Sequence, residues 1–244
     1  MNRTTIKPRL FFALLTLVVL FGGMRAVGTL GPTAWRWLLP AGFVLMALSP
    51  WLLLDAFERR QIGLMPAPQR AWYGWALLSG AAAALLCMAV GLVMFGTGSG
   101  NWYVSIARSY QGIMDTSAFS LVMLHLVFTT PALLFSPIGE EIFFRGVLQR
   151  ALELRTTPQN ATCVECSLFA VIHLCHHGIV RVDGRFSWMP VSAISWMILM
   201  FFTAWLFAWL RKRSGSLYPA IVAHMAFNGT MNLLIFQFLW PRSI

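Results

Sequence analysis

Residues 71–95 read AWYGWALLSGAAAALLCMAVGLVMF, an apolar stretch without a charged side chain. A helix crosses roughly 30 Å of hydrocarbon with about 20 mainly apolar residues, and this stretch exceeds that length. Inside a bilayer every backbone N–H and C=O group must bond internally, which only helices and closed barrels achieve. The stretch therefore predicts a transmembrane helix and sets the class of fold for the rest of the chain.

The remaining sequence is also largely apolar. Of the 244 residues 58% are hydrophobic and only 11% are charged, which separates the chain from average soluble domains. Further apolar runs of spanning length lie near residues 10–30, 37–54, 118–136, 161–177, 188–210 and 217–240. Segment 138–154 predicts one more helix that spans, re-enters or lies at the interface. We predict an all-α integral membrane protein, a polytopic bundle of 7 to 8 transmembrane helices. We expect one domain over residues 1–244, with a polar intramembrane cavity.

The formal charge of +10 does not indicate a nucleic-acid partner, because the basic residues are scattered through loops instead of clustering on one face. Anionic lipid headgroups explain this charge more simply. With seven spans and the N-terminus inside, most Lys and Arg residues fall in inside loops, and Arg25 and Arg36 count among the outside ones. The distribution favours an inside N-terminus and an outside C-terminus.

The charged residues Glu140, Glu141 and Arg145 interrupt this apolar chain. Ionisable groups at membrane depth cost about 2.5–3.5 kcal/mol each on insertion scales, so they usually mark functional sites. Ser136 followed by Pro137 predicts a helix start that places both carboxylates near the favourable N-terminal end of the helix dipole. Glu141 and Arg145 have ion-pair spacing, which leaves Glu140 unpaired. The alternative is that both glutamates only cap a helix near the headgroups.

Two later helices carry polar side chains at i, i+4 spacing. Phe169 precedes His173, and His224 precedes Asn228, with Asn232 one turn further along the same face. Unsatisfied polar groups in hydrocarbon are costly, so such faces predict a shared site. His125, by contrast, is typical of a histidine that bonds between helices.

These residue types fit peptide hydrolysis by activated water. Glu140, assisted by His173, would take a proton from water, and His224 with Asn228 would donate hydrogen bonds to the tetrahedral oxyanion. No serine or cysteine lies beside them with spacing that supports a covalent intermediate.

The cysteines and the remaining histidines raise the possibility of a metal site. If residues 161–177 are helical, Cys163 lies about 15 Å from His173 along the axis, too far to share one zinc ion. His173 and His177, one turn apart, could still pair on an ion. The cysteines Cys87, Cys163, Cys166 and Cys175 lie in or beside apolar helices and predict no disulfide framework.

Together the three motifs, Glu140-Glu141-x-x-x-Arg145, Phe169-x-x-x-His173 and His224-x-x-x-Asn228, resemble the CAAX protease and bacteriocin-processing family, which includes type II CAAX prenyl endopeptidases. The resemblance covers residues 118–240 and extends to the run 215–220 before the last motif. It implies a glutamate-dependent intramembrane protease without a cofactor or metal.

The resemblance also implies a role for each matching residue. Glu140 and His173 would activate water, His224 and Asn228 would hold the oxyanion, and Glu141, Arg145 and Phe169 would support them. The residues Cys163, Glu165, Cys166, His176 and His177 depart from the family pattern and leave a metal-dependent version open.

The resemblance implies a polypeptide substrate with a membrane-associated segment, held in the lipid bilayer. A chain of 244 residues resembles prokaryotic members, so we expect the cytoplasmic membrane and an exported or membrane-anchored substrate, such as a C-terminal tail or sorting signal, in preference to a prenylated one. Some relatives act as immunity or adaptor proteins, which keeps a non-catalytic binding role open. A proton-coupled transporter is a third reading, although the chain lacks internal symmetry.

Overall fold

The computed structural model describes residues 8–182 and 185–240, which are almost entirely helical. The long helices are α1 (Pro8–Leu30), α2 (Leu38–Leu53), α4 (Ala71–Phe95), α6 (Leu121–Glu140), α8 (Pro158–Ile172), α9 (Pro190–Ser214) and α10 (Tyr218–Leu234). The shorter helices are α3 (Ala56–Gln61), α5 (Trp102–Gln111) and α7 (Gln149–Glu153). Two π-helical segments, Glu141–Leu148 and Ile235–Leu239, extend α6 and α10. A short antiparallel hairpin pairs β1 (Ile179–Val182) with β2 (Arg185–Trp188).

Among the described residues, five helical stretches are long and apolar enough to cross a membrane. They are Thr33–Leu53, Ala71–Phe95, Leu121–Glu153, Pro190–Ser214 and Tyr218–Leu239, and a shorter apolar helix covers Leu14–Leu30. This confirms a polytopic, helical integral membrane protein. The predicted run 161–177 differs, because α8 has only 15 residues and ends at Ile172.

The predicted helix start at Ser136-Pro137 is wrong. Helix α6 begins after Ser120, whose hydroxyl accepts from the Met123 amide, and continues without a break through Glu140 into the π-helical segment and α7. Segment 138–154 is therefore the second half of one long helix, not an eighth helix. Pro137 removes one backbone donor without ending the helix, because buried helices tolerate proline where neighbouring groups satisfy the backbone. Glu140 and Glu141 consequently lie in a helix interior and not at its N-terminus.

Several loops meet at one end of the bundle. The Leu217 amide donates to the Gly63 carbonyl, Arg150 donates to Gln61 at 3.2 Å, and the Lys212 ammonium lies 3.1 Å from the Pro158 carbonyl oxygen. The α3 turn, the end of α7, the start of α8 and the α9–α10 turn are thereby joined. Arg59, Arg60, Arg150 and Arg211 belong to these joined elements, whereas Arg145 is buried in the bundle and Arg3, Lys7 and Arg242 lie outside the described residues.

The buried interior lies between the helices, and the outer surface is apolar. One cluster surrounds Trp102, Trp196 and Phe227, and a second packs Phe21 of α1 edge-on against Phe143. Large apolar side chains such as Val93 (87% exposed) and Leu52 (73% exposed) cover the outside. Hydrocarbon surrounds such a surface at no cost, which agrees with a membrane environment.

Candidate active site

The two glutamates lie where α6 passes into its π-helical segment. Both side chains are fully buried, and they point to different neighbours: Glu140 pairs with Arg25 of α1, and Glu141 bonds to His224 of α10. Consecutive helical residues differ by about 100° in direction, which explains this divergence. π-Helical turns are rare and occur frequently at functional sites.

The prediction that Glu140 is unpaired is wrong, because Arg25 binds it. The Arg25 Nη1 group donates to Glu140 Oε1, Nη2 lies 3.2 Å from His173 Nε2, and Nε donates to His176 Nε2 at 2.9 Å. Arg25 is only 6% exposed and lies within α1, not in an outside loop. The sequence held one signal for it, a single arginine inside an apolar run, and such residues mark functional sites.

His173 lies in the 3₁₀ turn His173–Cys175 that follows α8. Its Nδ1 atom is 2.6 Å from the Phe169 carbonyl oxygen, and its own carbonyl accepts from the Trp196 indole at 3.2 Å. The Phe169 ring packs against the imidazole with centroids 4.3 Å apart. Phe169 therefore contacts His173 with both its backbone carbonyl and its ring.

His224 links the two glutamates. Its Nδ1 atom is 2.8 Å from Glu141 Oε1, and its Nε2 atom is 3.9 Å from Glu140 Oε2. An ionised carboxylate only accepts hydrogen bonds, so Nδ1 carries the proton in this contact. The opposite ring nitrogen faces the one oxygen of Glu140 that lacks a hydrogen-bond partner among the described residues. A separation of 3.9 Å exceeds a direct hydrogen bond and suits a group placed between the two atoms.

Asn228 and Asn232 do not join this contact set. The Asn228 amide donates to the Ala132 carbonyl of α6 at 2.9 Å, and Asn232 accepts from the Tyr110 hydroxyl at 2.8 Å. One N–H of the Asn228 amide remains for another acceptor. The predicted polar stripe of α10 thus divides among three neighbours, α5, α6 and the π-helical segment.

Arg145 forms the predicted ion pair with Glu141, at 3.2 Å, and a second one with Glu165 of α8, at 3.4 Å. All three side chains are fully buried. The guanidinium also lies over the Phe169 ring, 4.0 Å from its centroid. Glu165, which departs from the family pattern, is therefore part of the charge network beneath the site.

The potential metal ligands of the second motif separate in space. Cys163 is exposed, Cys166 contacts Glu165, and His177 Nδ1 lies 2.8 Å from the Ser105 hydroxyl. His173 and His176 both face Arg25. Within residues 8–182 and 185–240, no group of three or more His, Cys, Asp or Glu side chains could hold a metal ion. His125 packs its ring on Phe236, with centroids 4.9 Å apart, between α6 and the end of α10.

Comparison with known proteins assigns the part of the chain that carries these motifs to a protein family. Residues 121–230 match the family model described as type II CAAX prenyl endopeptidase Rce1-like. No curated protein and no solved structure matches the chain. The matched segment contains Glu140, His173, His224 and Asn228, whereas Arg25 lies before it. The chain is therefore an integral membrane protein that carries an Rce1-like domain of the CAAX protease and bacteriocin-processing family.

Proposed function

We propose that this protein is an intramembrane endopeptidase in which Glu140 acts as the general base on water. The Rce1-like domain supports protease activity in general. The observation that carries the finer proposal is the Oε2 atom of fully buried Glu140, which has no hydrogen-bond partner among the described residues and faces His224 Nε2 at 3.9 Å. Such a carboxylate oxygen is a suitable proton acceptor for water bound between these two groups.

The proposed reaction proceeds by direct hydrolysis. Water loses a proton to Glu140 while its oxygen attacks the scissile carbonyl carbon, and the carbonyl oxygen becomes an oxyanion. The second N–H of Asn228 donates to that oxyanion, and so does Nε2–H of His224, whose ring carries both protons in this step with Glu141 as its counter-ion. The proton on Glu140 then passes to the leaving amide nitrogen as the C–N bond breaks. Glu141 and Arg145 support the site, since Glu141 orients His224 and Arg145 balances its charge.

His173 and Glu140 are linked by a shared partner, Arg25. Both side chains bond to terminal nitrogens of the same Arg25 guanidinium. This supports the pairing of Glu140 with His173 around one reaction centre, although their contact is indirect. The assistance that we propose from His173 is therefore to the local charge and orientation of the site.

We propose a membrane-anchored or exported polypeptide as the substrate, cut near a C-terminal tail or sorting signal, in a prokaryotic cytoplasmic membrane. A buried polar site inside an apolar outer surface supports a substrate segment that approaches from within the membrane. We further propose a single membrane domain over residues 1–244 and activity without a metal.

The test compares peptides released from membranes that contain the wild type or Glu140→Gln, by mass spectrometry. General base catalysis contributes about 10²–10⁴ in rate, and we expect a loss of that size. Glu58→Gln, a change in the exposed capping box of α3, is the matched control and should cut like the wild type. A cut that Glu140→Gln leaves unchanged contradicts the proposal. Each sample is also treated with a strong chelator, and reversible loss of the wild-type cut would establish the metal-dependent alternative.

One observation favours a second function, that of a non-catalytic immunity or adaptor protein. Arg25 occupies one oxygen of Glu140 and the Nε2 atom of His173, and Asn228 is engaged by Ala132. A polar cluster with most of its groups paired can serve as a rigid binding element. This function predicts that the wild type releases no defined peptide, whereas Glu140→Gln still abolishes partner binding or protection.

A further inference from the structure

The side chain of Arg25 joins three residues of the candidate site. All three guanidinium nitrogens are used, one each for Glu140, His173 and His176. These three partners come from two different parts of the chain, the end of α6 and the turn after α8. Arg25 itself comes from α1, which precedes the matched residues 121–230.

The contacts of Arg25 define the protonation pattern of His173. A guanidinium has only donors, so His173 Nε2 must present a lone pair to it. The Nδ1 atom then carries the proton and donates to the Phe169 carbonyl oxygen at 2.6 Å. Two contacts on opposite sides of the ring thus require the same neutral tautomer.

The contact between Arg25 and Glu140 also selects one carboxylate oxygen. Arg25 binds Oε1, whereas Oε2 has no hydrogen-bond partner in the part of the chain that the structure describes and faces His224. Rotation of the carboxylate would exchange the two oxygens, and the bond to Arg25 opposes that rotation. The guanidinium therefore determines which oxygen is open to water.

The other side of Arg25 meets an apolar groove between α1 and α2. The groove is lined by Phe21, Leu39, Gly42, Phe43 and Met46. The guanidinium carbon lies 5.6 Å from the Phe43 ring centroid. Arg25 is thus held between an apolar wall and its three acceptors, which leaves the long side chain little freedom.

We propose that Arg25 is a positioning residue of the active site, which holds Glu140 with Oε2 towards His224 and holds His173 as its Nδ1–H tautomer. Activity of the Rce1-like domain then depends on α1, a helix outside that domain. The effect on catalysis rests on the proposed function, whereas the effect on the tautomer of His173 does not.

The test uses the full chain in detergent or lipid, with Arg25→Lys as the variant. Lysine keeps the positive charge but carries its N–H donors on a single nitrogen in place of a planar fork, so it cannot reach three acceptors in this geometry. Because small displacements of a catalytic group cost about 10²-fold, we expect kcat to fall by about that factor. We expect KM to stay within about two-fold, because Arg25 acts on the reaction centre and not on uniform substrate binding. Arg70→Gln, at an exposed arginine before α4, is the control and should match the wild type in both constants.

A second readout is the ¹⁵N NMR spectrum of histidine-labelled protein, with the His173 signals assigned by their loss in His173→Gln. We expect a neutral ring protonated on Nδ1 in the wild type and a changed tautomer ratio in Arg25→Lys. A wild-type ring protonated on Nε2 overturns the proposal even if no variant can be purified. Unchanged kcat together with an unchanged tautomer in Arg25→Lys overturns it as well. If the wild type cuts no peptide, the proposed function fails, and the NMR result alone decides whether Arg25 positions His173.

Discussion

Arg145 is a cation enclosed by two carboxylates and an aromatic ring. It has no exposed surface, and its Nε atom lies within 3.4 Å of oxygens of both Glu141 and Glu165. These distances are those of ion pairs, but none of its nitrogens is aligned for a hydrogen bond to any residue that the structure describes. The stabilisation thus comes mainly from charge and from the face of Phe169. Arg145 thereby neutralises the glutamate that orients His224.

At the residue scale we predict that Arg145→Met destabilises the fold strongly. Removal of one partner of a buried ion pair typically costs about 3–5 kcal/mol, because the remaining charge is left uncompensated. The change in stability is measured by thermal unfolding in detergent, followed by tryptophan fluorescence or by a thiol-reactive fluorescent dye. The double variant Arg145→Met with Glu165→Gln leaves one buried carboxylate fewer and should recover part of the loss. A single variant as stable as the wild type would show that the pairing contributes little.

The π-helical segment determines how the two glutamates are presented. Its eight residues, Glu141–Leu148, are all buried, and they directly continue α6, which ends at Glu140. Helix α2 packs closely against the residue just before Glu140, because a Cβ atom on Gly139 would overlap the Phe43 carbonyl. This close approach sets the distance between α6 and the helix pair α1 and α2, and therefore the distance between Glu140 and Arg25.

At the element scale we predict that Gly139→Ala lowers activity although the new methyl group touches no site residue. The overlap with backbone must push α6 from α2, and a shift of about 1 Å at a reaction centre can cost about 10²-fold in rate. Peptide release and thermal stability are both measured. Gly74→Ala in α4 is the matched control, since nothing lies within 4 Å of a Cβ there. Equal activity of the two variants would show that the close packing of α2 against α6 does not affect the site.

The whole molecule gathers its basic loops at one end. Contacts between the α3 turn, α7, α8 and the α9–α10 turn bring Arg59, Arg60, Arg150 and Arg211 together on that side. Lys and Arg accumulate in cytoplasmic loops, so this end is expected to face the cytoplasm. Helix α4 connects it with the opposite end, which carries residues 96–101.

At the scale of the molecule we predict opposite labelling of the two ends of α4. Gln69→Cys and Ser99→Cys, both at exposed positions and each combined with Cys163→Ser, are treated with a membrane-impermeant thiol reagent. We expect Ser99→Cys to react in intact cells and Gln69→Cys to react only after the membrane is opened. The reverse pattern would invert the orientation, and labelling of both in intact cells would contradict α4 as a span.

Much of the fold was readable from local pattern. The apolar run 71–95 coincides with α4, because length and hydropathy alone decide whether a helix crosses a bilayer. The Glu141–Arg145 ion pair also follows from spacing within one helix. Proline was less informative: Pro137 suggested a helix boundary, but α6 continues through it, because membrane helices tolerate an internal proline.

The sequence by itself determined a helical membrane protein and the three motifs whose glutamate, histidines and asparagine compose the candidate site. Only the tertiary structure decided that Arg25 binds Glu140, His173 and His176, that Glu165 pairs with Arg145, and that Asn228 bonds to Ala132. The physical reason is that periodicity describes one helix at a time. Contacts between distant helices depend on how their surfaces pack, and a buried charge takes its partner from whichever helix lies beside it.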